Sequence, residues 1–449
     1  MSDPARTVLT GWGRTAPTSA TVLRPRDGDQ VADMVRRAGP RGVLARGLGR
    51  SYGDAAQDAG GTVLDLTALD TVGVDAETGL AACGGGASLG QVMQAAIPLG
   101  WFPPVLPGTR HVTVGGALAT DVHGKNHHRS GSFASHVRSM TLVGADGEAR
   151  RLESADPLSQ ATAGGMGLTG IVTDLVMSLR PVESSFMQVD TTRAPDLDAL
   201  MAQLEAADAA HPYTVAWVDC LTGGRRLGRG IVYAGDHAAP ADLPEPERAA
   251  ALRFEPPTGL PAPTWTPAGL LNPHTAAAFN EAWFRKAPRD RRQQLQTIST
   301  FFHPLDGVRG WNRLYGHAGF VQYQLVVPFA EGGVVRKVIE RLSSARAATV
   351  LAVLKRLGAS SPGPLSFPMP GWTLTVDMPA RGRDLARLLD GLDQLVADAG
   401  GRVYLAKDAR LRPELVAEMY PRVGEWLELR SRVDPHGCFV SDLARRLGL

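Results

Sequence analysis

A chain of 449 residues in which 44% of side chains are apolar and 20% charged has the make-up of an ordinary globular protein, which excludes a disordered or coiled-coil chain. At ~150 residues per domain the length predicts about three domains, and two larger ones fit it equally well. The net charge of +2 excludes nucleic acid as the main partner, because phosphate-backbone binding shows as a strongly basic face.

The first ten residues carry Asp3 and Pro4 and no apolar core, so no secretory signal is expected and a cytoplasmic, soluble chain is the direct reading. No stretch reaches the ~18 apolar residues of a membrane span, which leaves peripheral contact as the expected relation to a membrane. Cys83, Cys220 and Cys438 are odd in number and far apart, and offer neither a disulfide framework nor a CxxC site.

Up to about residue 180, short β-branched runs alternate with glycine-rich turns, predicting many short strands around tight loops. Ser88 and Gln91 have capping-box spacing and predict a helix over 91–97. Beyond 180 the texture changes to longer strands and amphipathic helices, with a helix predicted over 196–206 and a strand over 319–327. Residues 238–275 are proline-rich and resist regular structure, predicting a mobile surface loop that is either a linker or a lid. The segment after Arg410 reads as helical and is expected to return to the first domain.

Three glycine loops carry the chemistry. The first is Ala45-Arg46-Gly47-Leu48-Gly49-Arg50-Ser51-Tyr52-Gly53-Asp54-Ala55, whose glycines let backbone amides approach a phosphate. Its spacing is GxGxxxG and the segment after it is short and polar, so a Rossmann reading fails even with Asp65 placed eighteen residues after Gly47. Alone it is either a structural turn or a cofactor loop. In the second, Gly108 and Gly115-Gly116 bracket the β-branched run Val112-Thr113-Val114, which leads through Thr120, Asp121, Val122 and His123 to Lys125, His127 and His128. So many polar groups in one loop predict a ligand that satisfies them. A metal is not expected, since Gly124 and Asn126 argue for a loop rather than a helix that presents histidines at i and i+4. The third is Gly164-Gly165-Met166-Gly167-Leu168-Thr169-Gly170-Ile171. Three such loops in one domain predict a long dinucleotide lying across strand ends.

These loops resemble the FAD-binding domain of the vanillyl-alcohol-oxidase type flavoproteins. The motifs DVHGKNHH at 121–128, FVQYQ at 320–324, PLSFPMPGW at 364–372, AKD at 406–408 and MYPR at 419–422 resemble more closely the decaprenylphosphoryl-β-ribose 2′-oxidases of actinobacterial cell-wall synthesis. The resemblance covers nearly the whole chain. It implies an α+β fold: a PCMH-type FAD-binding domain over 1–180, an antiparallel-sheet substrate domain over 181–403, and a C-terminal segment, 404–449, returning to the first. It implies oxidation of a polyprenyl-phosphate-linked ribose at C2′, an NADH-dependent keto-reductase as partner, and peripheral membrane contact that the family allows on the periplasmic side.

Carried over by residue, the resemblance implies FAD contacts from Ala45 through Ala55, Gly108, Thr113 through Gly116, Thr120 through His123, Ile171 and Tyr404. It implies Lys407 as the catalytic lysine, with Tyr52, His123 and Lys125 completing a polar wall. Arg50 stands where many relatives carry a flavin-linking histidine, which predicts non-covalent FAD. Gln322 and Gln324 alternate with Val321, Tyr323 and Leu325 and so share one strand face, either buried against a ligand or solvated. Lys355 matches a family lysine of the same pocket, and Thr375 sits where several relatives carry cysteine. A surface ion pair of Lys407 with Asp408 is the competing reading. The basic cluster Arg285, Lys286, Arg289, Arg291 and Arg292 suits a phosphate, anionic lipid heads or a solvated face. Two other functions remain open at this stage: an oxygen-using oxidase of free sugars or aldonolactones, and a flavin-binding subunit without turnover.

Overall fold

The computed structural model describes residues 6–263, 265–267, 269–381 and 383–449. Their strands and helices form an α+β architecture built on three main sheets. Strands Arg6–Leu9, Thr18–Leu23, Thr62–Asp65 and Val43–Arg46 make a small mixed sheet. Five antiparallel strands between Val72 and Ser178 make a second.

The third sheet is antiparallel throughout and runs Asp290–Thr297, Phe186–Ala194, Gly230–His237, Tyr213–Val218, Ala352–Leu357, Gly371–Pro379, Phe320–Val327, Arg402–Val403. Its central strands present alternating faces. Tyr323, Leu325, Val327, Leu354, Leu374 and Val376 point to one face, where helices Leu197–Ala210, Gly333–Ser344 and Arg383–Asp398 bury them in the largest core. The residues between them point the other way, toward the glycine loops.

Local chemistry explains the element boundaries. Ser88 accepts from the Gln91 N–H at 3.2 Å and Gln91 Oε1 accepts from the Ser88 N–H at 2.8 Å, so the capping box forms and the helix, Leu89–Ala96, starts two residues earlier than its periodicity suggests. Asp196 caps the Ala199 N–H, and this helix runs on to Ala210 because nothing stops it before His211-Pro212. The run Val112-Thr113-Val114, expected as extended chain, instead opens the helix Val114–Ala119. Thr113 spends its hydroxyl capping the Gly116 N–H at 3.2 Å, and the small residues that follow fit against the Gly85 carbonyl, where a Cβ on Gly115 would sit 2.8 Å away.

Within the proline-rich stretch the chain forms a one-turn helix, Glu245–Arg248, and a two-residue strand, Leu260–Pro261, parallel to Val308–Arg309. It is also tied down at several points: the N–H and hydroxyl of Ser185 donate to the Ala251 and Arg253 carbonyls, and Arg110 donates to the Pro257 carbonyl. At the C-terminal end Phe439 bridges to Val43 and is fully buried among Val31, Leu64 and Ile171, while Arg446 is paired with Asp54 at 2.8 Å. Among the described residues no helix is long and apolar enough to cross a membrane.

Candidate active site

The polar face of the large sheet is the floor of the site. Strand register sets Gln322 opposite Asp377, Gln324 opposite Thr375, and Lys355 opposite Thr373. Gln322, Gln324, Thr373, Thr375 and Asp377 are all buried, so the two amides face inward. Gln322 donates to Asp377 Oδ1 at 2.5 Å, and its carbonyl accepts from Lys407 Nζ. The Tyr315 hydroxyl reaches the other Asp377 oxygen at 3.5 Å.

Lys407 and Asp408 diverge. The Lys407 ammonium lies 3.9 Å from the centre of the Tyr52 ring, whereas Asp408 pairs with Arg446 at 2.8 Å and accepts from the Arg410 and Leu411 N–H groups. The surface ion pair between neighbours is therefore not formed. Burial lowers the pKa of Lys407, Lys355 adds to the shift and Asp377 opposes it; burial raises the pKa of Asp377.

The wall of the site comes from the loop at 121–128. Gln324 Nε2 approaches His123 Nε2 to 2.8 Å and Thr373 Oγ1 to 3.2 Å. The Thr373 hydroxyl already donates to the Leu325 carbonyl, so it must accept from Gln324, which orients the amide as a donor to His123 as well. His123 thus accepts on Nε2 and carries its proton on Nδ1, which is buried without a partner among the described residues. Burial, then the charges of Lys355 and nearby groups, hold its pKa well below the usual value, so this ring is neutral at pH 7. Lys125 Nζ donates to the Phe301 carbonyl and lies 4.1 Å from that ring's centre; burial with Lys355 beside it brings its pKa down to about 7. Lys355 is pushed down to about 8 by burial.

The same loop is fastened on both sides. His127 Nδ1 accepts from the Gly358 N–H at 3.0 Å, and the Asp121 carboxylate accepts from the hydroxyls of Ser361 and Ser366 and from the Ala134 N–H. Tyr404 stacks on Phe367 at 4.7 Å, lies 5.4 Å from the His123 ring, and donates to the Thr120 carbonyl at 2.6 Å.

The loop at 45–55 fits a dinucleotide. Among the described residues the N–H groups of Leu48, Gly49, Arg50 and Ser51 donate to no acceptor in the chain, whereas those of Val114 and Gly115 are taken by the Ala87 and Gly85 carbonyls. Gly49 has φ +63, and a Cβ on Gly47 or Gly53 would overlap Thr113 Oγ1 or the Asp408 carbonyl. Side chains alone therefore cannot line this cradle, and its donors are of the kind that bind a diphosphate. Arg46 ties the loop's base to the Thr10 and Ala56 carbonyls, and Ala55 is core. Val122 is buried beside the helix that follows Thr113. Gly108 borders nothing within reach, and the Ile171 side chain is buried in the small core rather than facing the loops.

Asp377, Thr373 and Tyr315 were not singled out from sequence. Thr373, Thr375 and Asp377 alternate with Trp372, Leu374, Val376 and Met378, the same period-two signal that exposed the two glutamines. Tyr315 carries no such signal.

A family model described as an FAD binding domain matches residues 19–153, and one described as D-arabinono-1,4-lactone oxidase matches residues 379–447. The decaprenylphosphoryl-beta-D-ribose oxidase of Mycolicibacterium smegmatis is 44% identical over 98% of this chain and 97% of its own length. The chain belongs to that oxidase family. An uncharacterised protein of Streptomyces coelicolor is 43% identical over 81% of this chain and its whole length, and an alditol oxidase of a Streptomyces species 31% identical over 39% and 42%. Like the rest of the decaprenylphosphoryl-ribose oxidase family, this protein is an FAD-dependent oxidoreductase acting on an alcohol group, with a vanillyl-alcohol-oxidase type, PCMH-type FAD-binding domain and a domain built on the antiparallel sheet.

Proposed function

We propose that this protein oxidises the C2′ hydroxyl of decaprenylphosphoryl-β-D-ribose to the 2′-keto sugar, the first half of epimerisation to the arabinose lipid used in cell-wall arabinan synthesis. The carrying observation is electrostatic. Lys125, Lys355 and Lys407 stand half-buried around the site; the charge of Lys355 lowers the pKa of both Lys125 and Lys407, and Asp377 opposes that shift at Lys407. Such a gathering of partly desolvated cations is costly unless the ligand brings negative charge. A phosphodiester-linked sugar does so; a free sugar or lactone does not.

FAD, when bound, supplies the two-electron acceptor for hydride from C2′. Lys407, kept partly neutral by burial, takes the hydroxyl proton, and Gln322 with Asp377 fixes the direction of its Nζ. Tyr52 supports the ammonium once formed. Gln324, Thr375 and Lys355 line the sugar side, and His123 Nδ1 offers a fixed donor. The glycine loop at 45–55, the segment 113–116, Gly108, residues 120–123, Ile171 and Tyr404 hold the cofactor in this reading. The keto product then needs an NADH-dependent reductase that delivers hydride from the other face, and a lipid substrate brings the protein to a membrane surface as a peripheral protein.

Anaerobic mixing with decaprenyl- or farnesyl-phosphoryl-ribose bleaches the flavin, and ribose lacking the phosphate does not. Equal bleaching by soluble sugars or aldonolactones, with rapid peroxide formation in air, establishes the oxygen-using oxidase instead. Lys125→Met raises KM for the phosphoryl sugar by about tenfold or more, the loss of one charged hydrogen bond, with a smaller change in kcat.

The flavin is dissociable. Arg50 lies 4.3 Å over the Trp12 ring with Nη1 donating to the Leu48 carbonyl, and an arginine forms no flavin bond there. Denaturation and filtration release the yellow colour into the filtrate; colour kept on the polypeptide contradicts this.

A further inference from the structure

Among the described residues, six of the eleven exposed large hydrophobic side chains lie between residues 260 and 308: Leu260, Trp265, Leu270, Phe279, Trp283 and Val308. Leu260 and Trp265 are 77% and 69% exposed, which is unusual for side chains of this size unless something covers them. They form one rim. Leu260 is paired with Val308 across two short strands, the Leu270 carbonyl accepts from Thr275 in the first turn of the helix Pro273–Lys286, and Phe279 stacks on Trp283 at 6.0 Å further along it. Ala276 and Asn280 face inward from this helix, and Phe279, Trp283 and Lys286 make an outward stripe at i, i+4 and i+7.

Positive charge borders the rim. Lys286 lies 5.8 Å from the Trp283 ring, and Arg289 and Arg291 flank Asp290 at the start of Asp290–Thr297, the edge strand of the large sheet. Among the described residues Lys286, Arg289 and Arg291 have no carboxylate partner, whereas Glu281 is held by Arg229 and Arg285, and Asp290 by Arg292. This stretch also meets the segment that carries Tyr315. Gly269 and Gly316 both border the Arg381 guanidinium, and Tyr315 next to Gly316 stacks on Phe320 at 4.2 Å.

We propose that this face docks the protein on an anionic lipid bilayer, with Trp265, Phe279 and Trp283 entering the interface and Lys286, Arg289 and Arg291 meeting the headgroups. Exposed tryptophan and phenylalanine beside unpaired cations suit the interfacial zone, where an apolar body is buried and charge stays at headgroup level. A second copy of this chain is a poor occupant, because a two-fold contact would bring the three unpaired cations toward their own images. The inference deepens the reading of a lipid-linked substrate: the membrane that holds the protein also holds the prenyl tail.

The test is co-sedimentation of the FAD-loaded protein with vesicles of phosphatidylcholine alone and of phosphatidylcholine mixed with phosphatidylglycerol, without any sugar. Binding to the anionic vesicles is expected, weakened by added salt, and reduced about tenfold or more in K286E/R289E/R291E. W265S/W283S is expected to lose the salt-resistant part while keeping its flavin and its rate on a water-soluble phosphoryl sugar. Wild-type protein that ignores anionic vesicles, a charge-reversed variant that binds as wild type does, or a dimer in sedimentation velocity that these substitutions split, each overturns the proposal. The assay contains no substrate, so its failure leaves the oxidation chemistry standing. Failure of phosphoryl-ribose to bleach the flavin leaves a vesicle result standing.

Discussion

Lys407→Ala is expected to retain yellow FAD and to lose flavin bleaching by phosphoryl-ribose by roughly 10² to 10⁴-fold, the range of a missing general base. The Lys407 amine touches both Gln322 and the Tyr52 ring, and its removal leaves the glycine loops intact. The pH profile separates a base from a mere prop. The pKa of Lys407 in the folded protein is below the usual lysine value, so the neutral form grows as pH rises through it and the bleaching rate of the wild type rises over the same interval. In Lys407→Ala that rising limb disappears. An unchanged profile with an unchanged rate assigns the proton to another group.

Gly53→Ala is expected to yield colourless protein that takes up no FAD. A Cβ at this position overlaps the Asp408 carbonyl oxygen, an atom of backbone that cannot swing aside, so the loop must leave the segment carrying Lys407. The Tyr52 N–H donates to the Ala406 carbonyl at 2.9 Å, and that bond is lost with it. Difference absorbance during FAD titration checks this. Normal flavin content in the variant contradicts the cradle. Gly73→Ala, on a strand outside the site, serves as the comparison, since a Cβ there meets nothing and colour is retained.

Much of this was legible in residues alone, for stated reasons. The capping box at Ser88 and the strand at 320–327 are local patterns, and local patterns survive folding. The two glutamines could be placed on one face, yet whether that face was wet or buried depended on which layer covered it, and that is decided by the loop at 121–128 far away in sequence. Val112-Thr113-Val114 misled because β-branched composition argues for extended chain, while the Thr113 hydroxyl closes a helix start. Ile171 sits within a glycine motif and still turns its side chain into the core, since strand alternation overrides motif membership. The meeting of Lys407 with Gln322 is invisible in sequence because it joins elements 85 residues apart.

The floor of the pocket is three neighbouring antiparallel strands whose odd and even positions answer to different demands. Gln322, Gln324, Thr373, Thr375, Asp377 and Lys355 are rungs on one face, while Tyr323, Leu325, Leu354, Leu374 and Val376 at the intervening positions pack into the core on the reverse side. A point replacement at Thr375 therefore changes the face turned to the pocket while leaving the core positions of its strand as they are. A slip of any of these strands by a single residue would trade every rung for a core side chain, so the pairing that holds the sheet together also protects the chemistry written on it.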